Sequence, residues 1–129
     1  MKITEGINWV ISCTDKFEQT VAFFHTVTGL AIAAEGIPVT DSQFTRYAQI
    51  TLPTGGVLET VEPAAEVRQL YTGPIVSFTV DDVGQARREL EERQIVFVAP
   101  IFRTDDGWGW TYFRAPDGHI YQLQGAYAE

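Results

Sequence analysis

Pro116-Asp117-Gly118-His119-Ile120-Tyr121-Gln122, near the end of the chain, has a near-copy half a chain earlier in Pro53-Thr54-Gly55-Gly56-Val57-Leu58-Glu59. Each is a turn of the Pro-x-Gly kind feeding a strand, and each sets a polar side chain at the same step beyond the turn. The upstream strands repeat as well. Asn8-Trp9-Val10-Ile11-Ser12-Cys13-Thr14-Asp15 lines up with Ile75-Val76-Ser77-Phe78-Thr79-Val80-Asp81-Asp82. An internal repeat means one supersecondary unit used twice, so equivalent positions face one another across a pseudo-twofold. On this alignment the equivalent pairs are Asn8 with Ile75 and Glu59 with Gln122.

Working outward, a strand over 7–13 precedes a helix with Asp15 as N-cap and Glu18 three residues on, the capping-box spacing. Phe17, Val21, Phe24 and Val27 form its apolar stripe, and Gly29 closes it. Strands follow near 30–37, 44–52 and 57–62. After a linker over 63–73, with a helical turn around Val67 to Leu70, the pattern recurs. A strand over 75–80 leads to a helix capped by Asp82 with Gln85 three residues on, carrying Val83, Ala86 and Leu90. Strands near 95–102, 109–114 and 119–124 complete it. The order βαβββ-βαβββ predicts one duplicated α+β domain over 1–129, with units of about 1–62 and 74–129.

Side chains alternate along a strand, so parity sorts them by face. Ala48, Ile50, Leu52, Leu58, Thr111, Phe113, Ala115 and Leu123 are predicted to pack under the helices. The opposite, concave face receives Tyr47, Gln49, Thr51, Val57, Glu59, Trp110, Tyr112, Arg114, Ile120, Gln122 and Gln124. From the first strands it receives Asn8, Val10, Ser12, Ile75, Ser77 and Thr79, which leaves Trp9, Ile11 and Cys13 facing the helices.

The composition narrows the function. With 129 residues, 45% hydrophobic and 12% aromatic, the chain can bury a real core. A net charge of −8 argues against nucleic acid or an anionic membrane surface and is compatible with a cationic ligand. One cysteine allows no internal disulfide, which fits a reducing compartment. The first residues show no signal-peptide run and no segment reaches membrane-spanning length, so a cytoplasmic protein is expected.

This pattern resembles the vicinal oxygen chelate superfamily of glyoxalases, bleomycin-resistance proteins, fosfomycin-resistance thiol transferases and extradiol dioxygenases. The carrying residues are the Asp15 and Asp82 helix starts, Phe23-Phe24, Gly29-Leu30, Trp108-Gly109, and Phe113-Arg114-Ala115-Pro116-Asp117-Gly118-His119. In the last run Ala115 stands where the family usually has Asp. The resemblance implies a curved mixed sheet with a concave ligand site, and a homodimer. In metal-dependent members it also implies a divalent ion on up to four side chains, carried over here to Asn8, Glu59, Ile75 and Gln122. Ile75 cannot ligate and Asn8 is a poor substitute for His. One carboxylate and two amides make a weak set for metals that favour imidazole.

The reading favoured by these residues is metal-independent binding of a small aromatic or apolar molecule, as in the bleomycin-resistance branch. Tyr47, Trp110 and Tyr112 would stack on it, and Asn8, Gln49, Glu59 and Gln122 would fix its orientation. The alternative is a glyoxalase-like lyase, isomerase or dioxygenase with a depleted metal set of Glu59, Gln122 and Asn8, or with Glu59 as general base. Cys13 reads as an inert buried thiol and His25 as a surface residue. Arg114 reads as an anion contact or an ion pair with Glu59 or Asp117. The segment Thr104-Asp105-Asp106-Gly107-Trp108-Gly109-Trp110 reads as a lid or a plain hairpin turn.

Overall fold

A computed structural model describes residues 1–41 and 43–128. The chain forms two compact units, one of residues 8–75 and one of residues 76–129 together with 1–7.

In the first unit β1 (Trp9–Cys13) is followed by α1 (Phe17–Ala22), then β2 (Ala31–Gly36), β3 (Phe44–Thr51) and β4 (Val57–Pro63). The strands hydrogen-bond in the order β2-β3-β4-β1. β3 runs antiparallel to both β2 and β4, while β1 and β4 are parallel. Phe17 and Val21 of α1 pack on Ala48 and Ile32. Arg46 braces this contact: its guanidinium lies 4.5 Å from the centre of the Phe17 ring and bonds to Glu18 and Glu62. After Ala22 the helix widens into a π turn over Phe23–Val27. That turn breaks the 3.6-residue period. Val27, expected on the apolar stripe, is 73% exposed as a result.

The helix start also differs from expectation. Its N-cap is Lys16, which makes no side-chain capping bond, not Asp15. Instead the Lys16 N–H donates to Thr14 Oγ1. The second helix keeps its expected cap, since Asp82 Oδ1 accepts the Gln85 N–H at 3.0 Å.

That one-residue difference re-phases β1. Measured from the helix starts Phe17 and Val83, the residue equivalent to Ile75 is Trp9, eight positions upstream in each case, not Asn8. The sheet register agrees: Ile11 pairs with Glu59 as Ser77 pairs with Gln122. Val10 and Ser12 pair with Leu58 and Thr60 on the helix side. Trp9, Ile11 and Cys13 therefore share the face of Glu59, opposite to the arrangement expected from the sequence.

In the second unit β5 (Pro74–Val80) leads to α2 (Val83–Glu92), then the short β6 (Val96–Phe97) and β7 (Phe102–Arg103), and finally β8 (Trp108–Arg114) and β9 (Ile120–Ala126). β5 and β9 are parallel, β8 is antiparallel to β9, and both β6 and β7 pair with β8. The single strand expected over 95–102 is two, separated by Ala99-Pro100. Proline has no N–H for the ladder. Val83 and Ala86 of α2 pack on Val80, Phe113 and Leu123, with Leu90 partly buried beside them. Arg87 ties the helix to the sheet, donating 2.7 Å to the Ala99 carbonyl and lying 4.6 Å from the centre of the Phe97 ring. Here the predicted parity holds throughout: Ser77, Tyr112 and Gln122 share one face, and Phe78, Thr111, Phe113 and Leu123 the other. The 63–73 linker contains a 3-10 turn over Ala65–Val67, and the turn expected around Val67 to Leu70 follows it, the Leu70 and Tyr71 N–H groups donating to the Val67 carbonyl.

Candidate functional site

In the unit of residues 8–75, one sheet face carries Trp9, Ile11 and Cys13 from β1, Tyr47 and Gln49 from β3, and Val57, Glu59 and Val61 from β4. Glu59 is half-buried. The Gln49 amide donates to its Oε2 at 3.2 Å, and Trp9, which pairs with Val57, stands on the same face. The Gln49 contact follows from register, because Gln49 and Glu59 are direct cross-strand partners. The Tyr47 ring lies over Gly36 of β2, where a β-carbon would sit 3.7 Å away. Asn8, expected beside Glu59 among the polar contacts of the concave face, precedes β1 and is exposed, and its backbone carbonyl accepts the Val57 N–H.

Burial pushes the Glu59 carboxyl above its usual range; the donors Gln49 and Trp9 pull it back, and the nearby charge of Asp41 adds to the rise. Cys13 feels the same environment. Burial first, and the Glu59 charge second, push its thiol up to about 12, so it stays protonated and unreactive although it lies on the Glu59 face rather than under the helix. Asp41 is 5% exposed and its Oδ1 accepts the Gln43 N–H. Tyr71, also buried, donates to Gln43 Oε1 at 3.1 Å. Nothing in the sequence pattern marked Asp41 or Tyr71, because both lie outside the alternating strands.

A pH prediction follows. The folded-state carboxyl of Glu59 titrates above the ordinary value of 4.5. Folding therefore takes up a proton between the two values, and this contribution is fully present below 4.5 and lost as pH rises through the raised folded value. Glu59→Gln removes the titration. The melting temperature of Glu59→Gln minus that of the unaltered protein should grow from the ordinary carboxylate range upward and level off above the raised value. A difference independent of pH would overturn the assignment.

The other unit presents a different arrangement. Ser77 Oγ donates to Gln122 Oε1 at 2.5 Å, and Gln122 Nε2 donates to Tyr112 Oη at 3.3 Å. All three are buried, with Tyr112 at 2% exposure and Gln122 at 5%. Tyr112, expected to offer a stacking surface, is buried and its Oη accepts from Gln122 Nε2. Trp110 is half-buried against Phe102, ring centres 6.0 Å apart. Trp108 Nε1 donates to Gln124 Oε1 at 3.3 Å. The Thr104–Trp110 segment is a hairpin turn: Thr104 N–H donates to the Trp108 carbonyl, with Gly107 at a φ of +86°. Arg114 donates to the Gly118 carbonyl at 2.7 Å and so closes the β8–β9 turn. His25 is exposed, with Nδ1 at 2.8 Å from the Leu30 carbonyl oxygen.

A βαβββ unit and a second of the same order, with its first strand after the helix split into β6 and β7, define an α+β protein of the duplicated-unit type. The chain belongs to the Glyoxalase/Bleomycin resistance protein/Dioxygenase superfamily, which it matches over residues 6–123. A comparison with curated proteins finds no match. Among solved structures it is similar to a hypothetical protein of Bacillus halodurans, at 12% identity and a TM-score of 0.72 over 96% of each chain. It is also similar to methylmalonyl-CoA epimerase of Streptomyces coelicolor, at 18% identity and a TM-score of 0.71 over 97% of this chain and 99% of that one. With 4-hydroxymandelate synthase of the same organism the values are 17% and 0.61, over 94% of this chain and 48% of that one. At these identities the likeness is one of fold.

The superfamily includes divalent-metal proteins, which raises the question of whether these donors suit an ion. Among the described residues, no group of three or more His, Cys, Asp or Glu side chains is placed to hold one. At the re-phased positions stand Trp9, a donor only, and Ile75, which has no donor atom at all. Glu59 offers one carboxylate that already accepts from Gln49, and Gln122 is engaged at both ends of its amide. These residues do not fit a divalent metal.

Proposed function

We propose that this protein binds a small, largely aromatic or apolar organic molecule, without a metal, on the sheet face that carries Trp9, Tyr47, Gln49 and Glu59. The observation that carries this reading is the Glu59 carboxylate, held by the Gln49 amide at 3.2 Å on the same sheet face as the Trp9 and Tyr47 rings. It sets a polar group beside two aromatic rings, the composition of a site for a small organic ligand. The test has two arms. Melting curves with Ni²⁺, Mn²⁺ and Zn²⁺ should coincide with the metal-free curve to within about 1 °C, because a ligand stabilises only in proportion to its occupancy of the folded state. A screen of aromatic compounds by tryptophan fluorescence and thermal shift should give hits whose affinity falls at least about tenfold in Glu59→Gln, the loss of one charge-assisted hydrogen bond. Metal stabilisation of several degrees that disappears in Glu59→Gln would overturn the reading. So would hits indifferent to Glu59.

A second reading draws on the raised carboxyl of Glu59. A carboxylate with a raised pKa is suited to take a proton from a carbon acid. Methylmalonyl-CoA, the substrate named for the epimerase neighbours, is one such acid. Solvent deuterium entering its α-carbon in the presence of the protein, and not of Glu59→Gln, would favour this reading over simple binding.

A further inference from the structure

The charge of Glu59 is not matched by a cation of the chain. Among the described residues, no Lys, Arg or His forms an ion pair with it. Arg46 is held by Glu18 and Glu62 against the Phe17 ring, on the helix side. The sheet register fixes what surrounds the carboxylate instead. Ile11 and Gln49 are the direct cross-strand partners of Glu59. Trp9 pairs with Val57 and Tyr47 with Val61, each two residues from Glu59. The two aromatic positions therefore stand at opposite corners of a patch centred on the carboxylate, and diagonal neighbours lie within reach of aromatic side chains. Trp9, Tyr47 and Glu59 are all half-buried, so each keeps accessible surface.

An anion on this patch would be repelled by Glu59 and by the net charge of −8. A divalent metal needs several donor atoms, and the neighbours of Glu59 on the face, Ile11, Val57 and Val61, have none in their side chains. A neutral N–H or O–H gains a hydrogen bond but leaves the carboxylate charge uncompensated. An organic ammonium uses every part of the patch. It donates to the carboxylate, balances its charge, and is drawn to the faces of tryptophan and tyrosine rings. It also asks for no fixed set of coordinating atoms. We propose that the ligand of this face is an organic cation, with its ammonium nitrogen seated on Glu59 between Trp9 and Tyr47. This rests on the binding reading above and adds the charge that the ligand carries.

The experiment is an NMR titration of the isotope-labelled protein with matched probes, in about 0.15 M salt to screen exposed charges. The probes are phenylethylamine, phenylethanol and phenylpropanoate, together with the naphthyl and indolyl compounds of the same three kinds. Each amine should bind at least about tenfold more tightly than its alcohol, the difference made by one charge-assisted contact, and the carboxylates should not bind. The amines should also move the Trp9 indole N–H resonance, identified as the one that vanishes in Trp9→Phe. In Glu59→Gln the amines should fall to the level of the alcohols. Should that variant fail to fold, the amine-to-alcohol ratio and the Trp9 shift of the unaltered protein still decide. Amines and alcohols that bind alike overturn the inference and leave metal-independent binding intact. Amine binding that leaves the Trp9 resonance in place overturns the inference as well. No response to any probe up to millimolar concentration overturns both.

Discussion

Gly125→Ala should cost at least about 3 kcal/mol of stability, well into the range reached only by specific backbone or core disruption. A β-carbon at Gly125 would lie 2.0 Å from the Val80 carbonyl oxygen and 3.1 Å from the Val80 carbonyl carbon. Both obstacles are backbone, so no rotamer change can relieve the clash. Val80 and Gly125 are also register partners in the parallel β5–β9 pair. Separating them would draw β5 from β9 beside Val80 and Leu123, which belong to the α2 core and are 4% and 0% exposed. Gly118→Ala is the control. Gly118 has a φ of +84° but nothing within 4 Å of the point a β-carbon would occupy, so only conformational strain of about 1 kcal/mol is at stake. Urea unfolding of both variants decides the point. A Gly125→Ala loss no larger than that of Gly118→Ala would show that the β5–β9 pair can separate at little cost.

The contrast between the two units shows how much the chain disclosed of itself. In residues 76–129 the signals agree: Asp82 caps the helix and Gln85 follows at the right spacing, and alternation then places Ser77, Tyr112 and Gln122 on one face. In residues 8–75 a capping-box pattern points one residue too early. Asp15 has the right chemistry, but a cap contributes only about 1 kcal/mol and yields to the burial of Phe17. A one-residue slip exchanges the faces of a whole strand. Hence the repeat points to Asn8 beside Glu59, and Trp9 stands there. Counting back from the two buried helix-start residues, Phe17 and Val83, leads to Trp9, because burial marks the helix start more firmly than the cap does. The π turn over Phe23–Val27 leaves no such trace, since its residues continue a plausible helical stripe. Burial depth is equally silent. Parity puts Tyr112 on a face but does not say that the ring is enclosed and hydrogen-bonded there.

Gln122→Leu separates the two roles that its position suggests. Were Gln122 only a ligand contact, an apolar replacement of similar size would weaken binding and leave folding unchanged. The structure predicts otherwise. Its carbonyl oxygen takes the Ser77 hydroxyl at 2.5 Å and its amide donates to Tyr112 Oη at 3.3 Å, among residues no more than 5% exposed. Leucine leaves the Ser77 hydroxyl without that acceptor and Tyr112 Oη without that donor. A buried hydroxyl deprived of its acceptor costs about 1–3 kcal/mol, so a loss of about 1–3 kcal/mol is expected from Ser77. Removing the orphaned hydroxyl as well should restore part of it. In a double-mutant cycle of Gln122→Leu with Ser77→Ala, the coupling energy should reach about 1 kcal/mol or more. Stability unchanged in Gln122→Leu, or a cycle with no coupling, would mean that water supplies these groups and that Gln122 is free to serve a ligand.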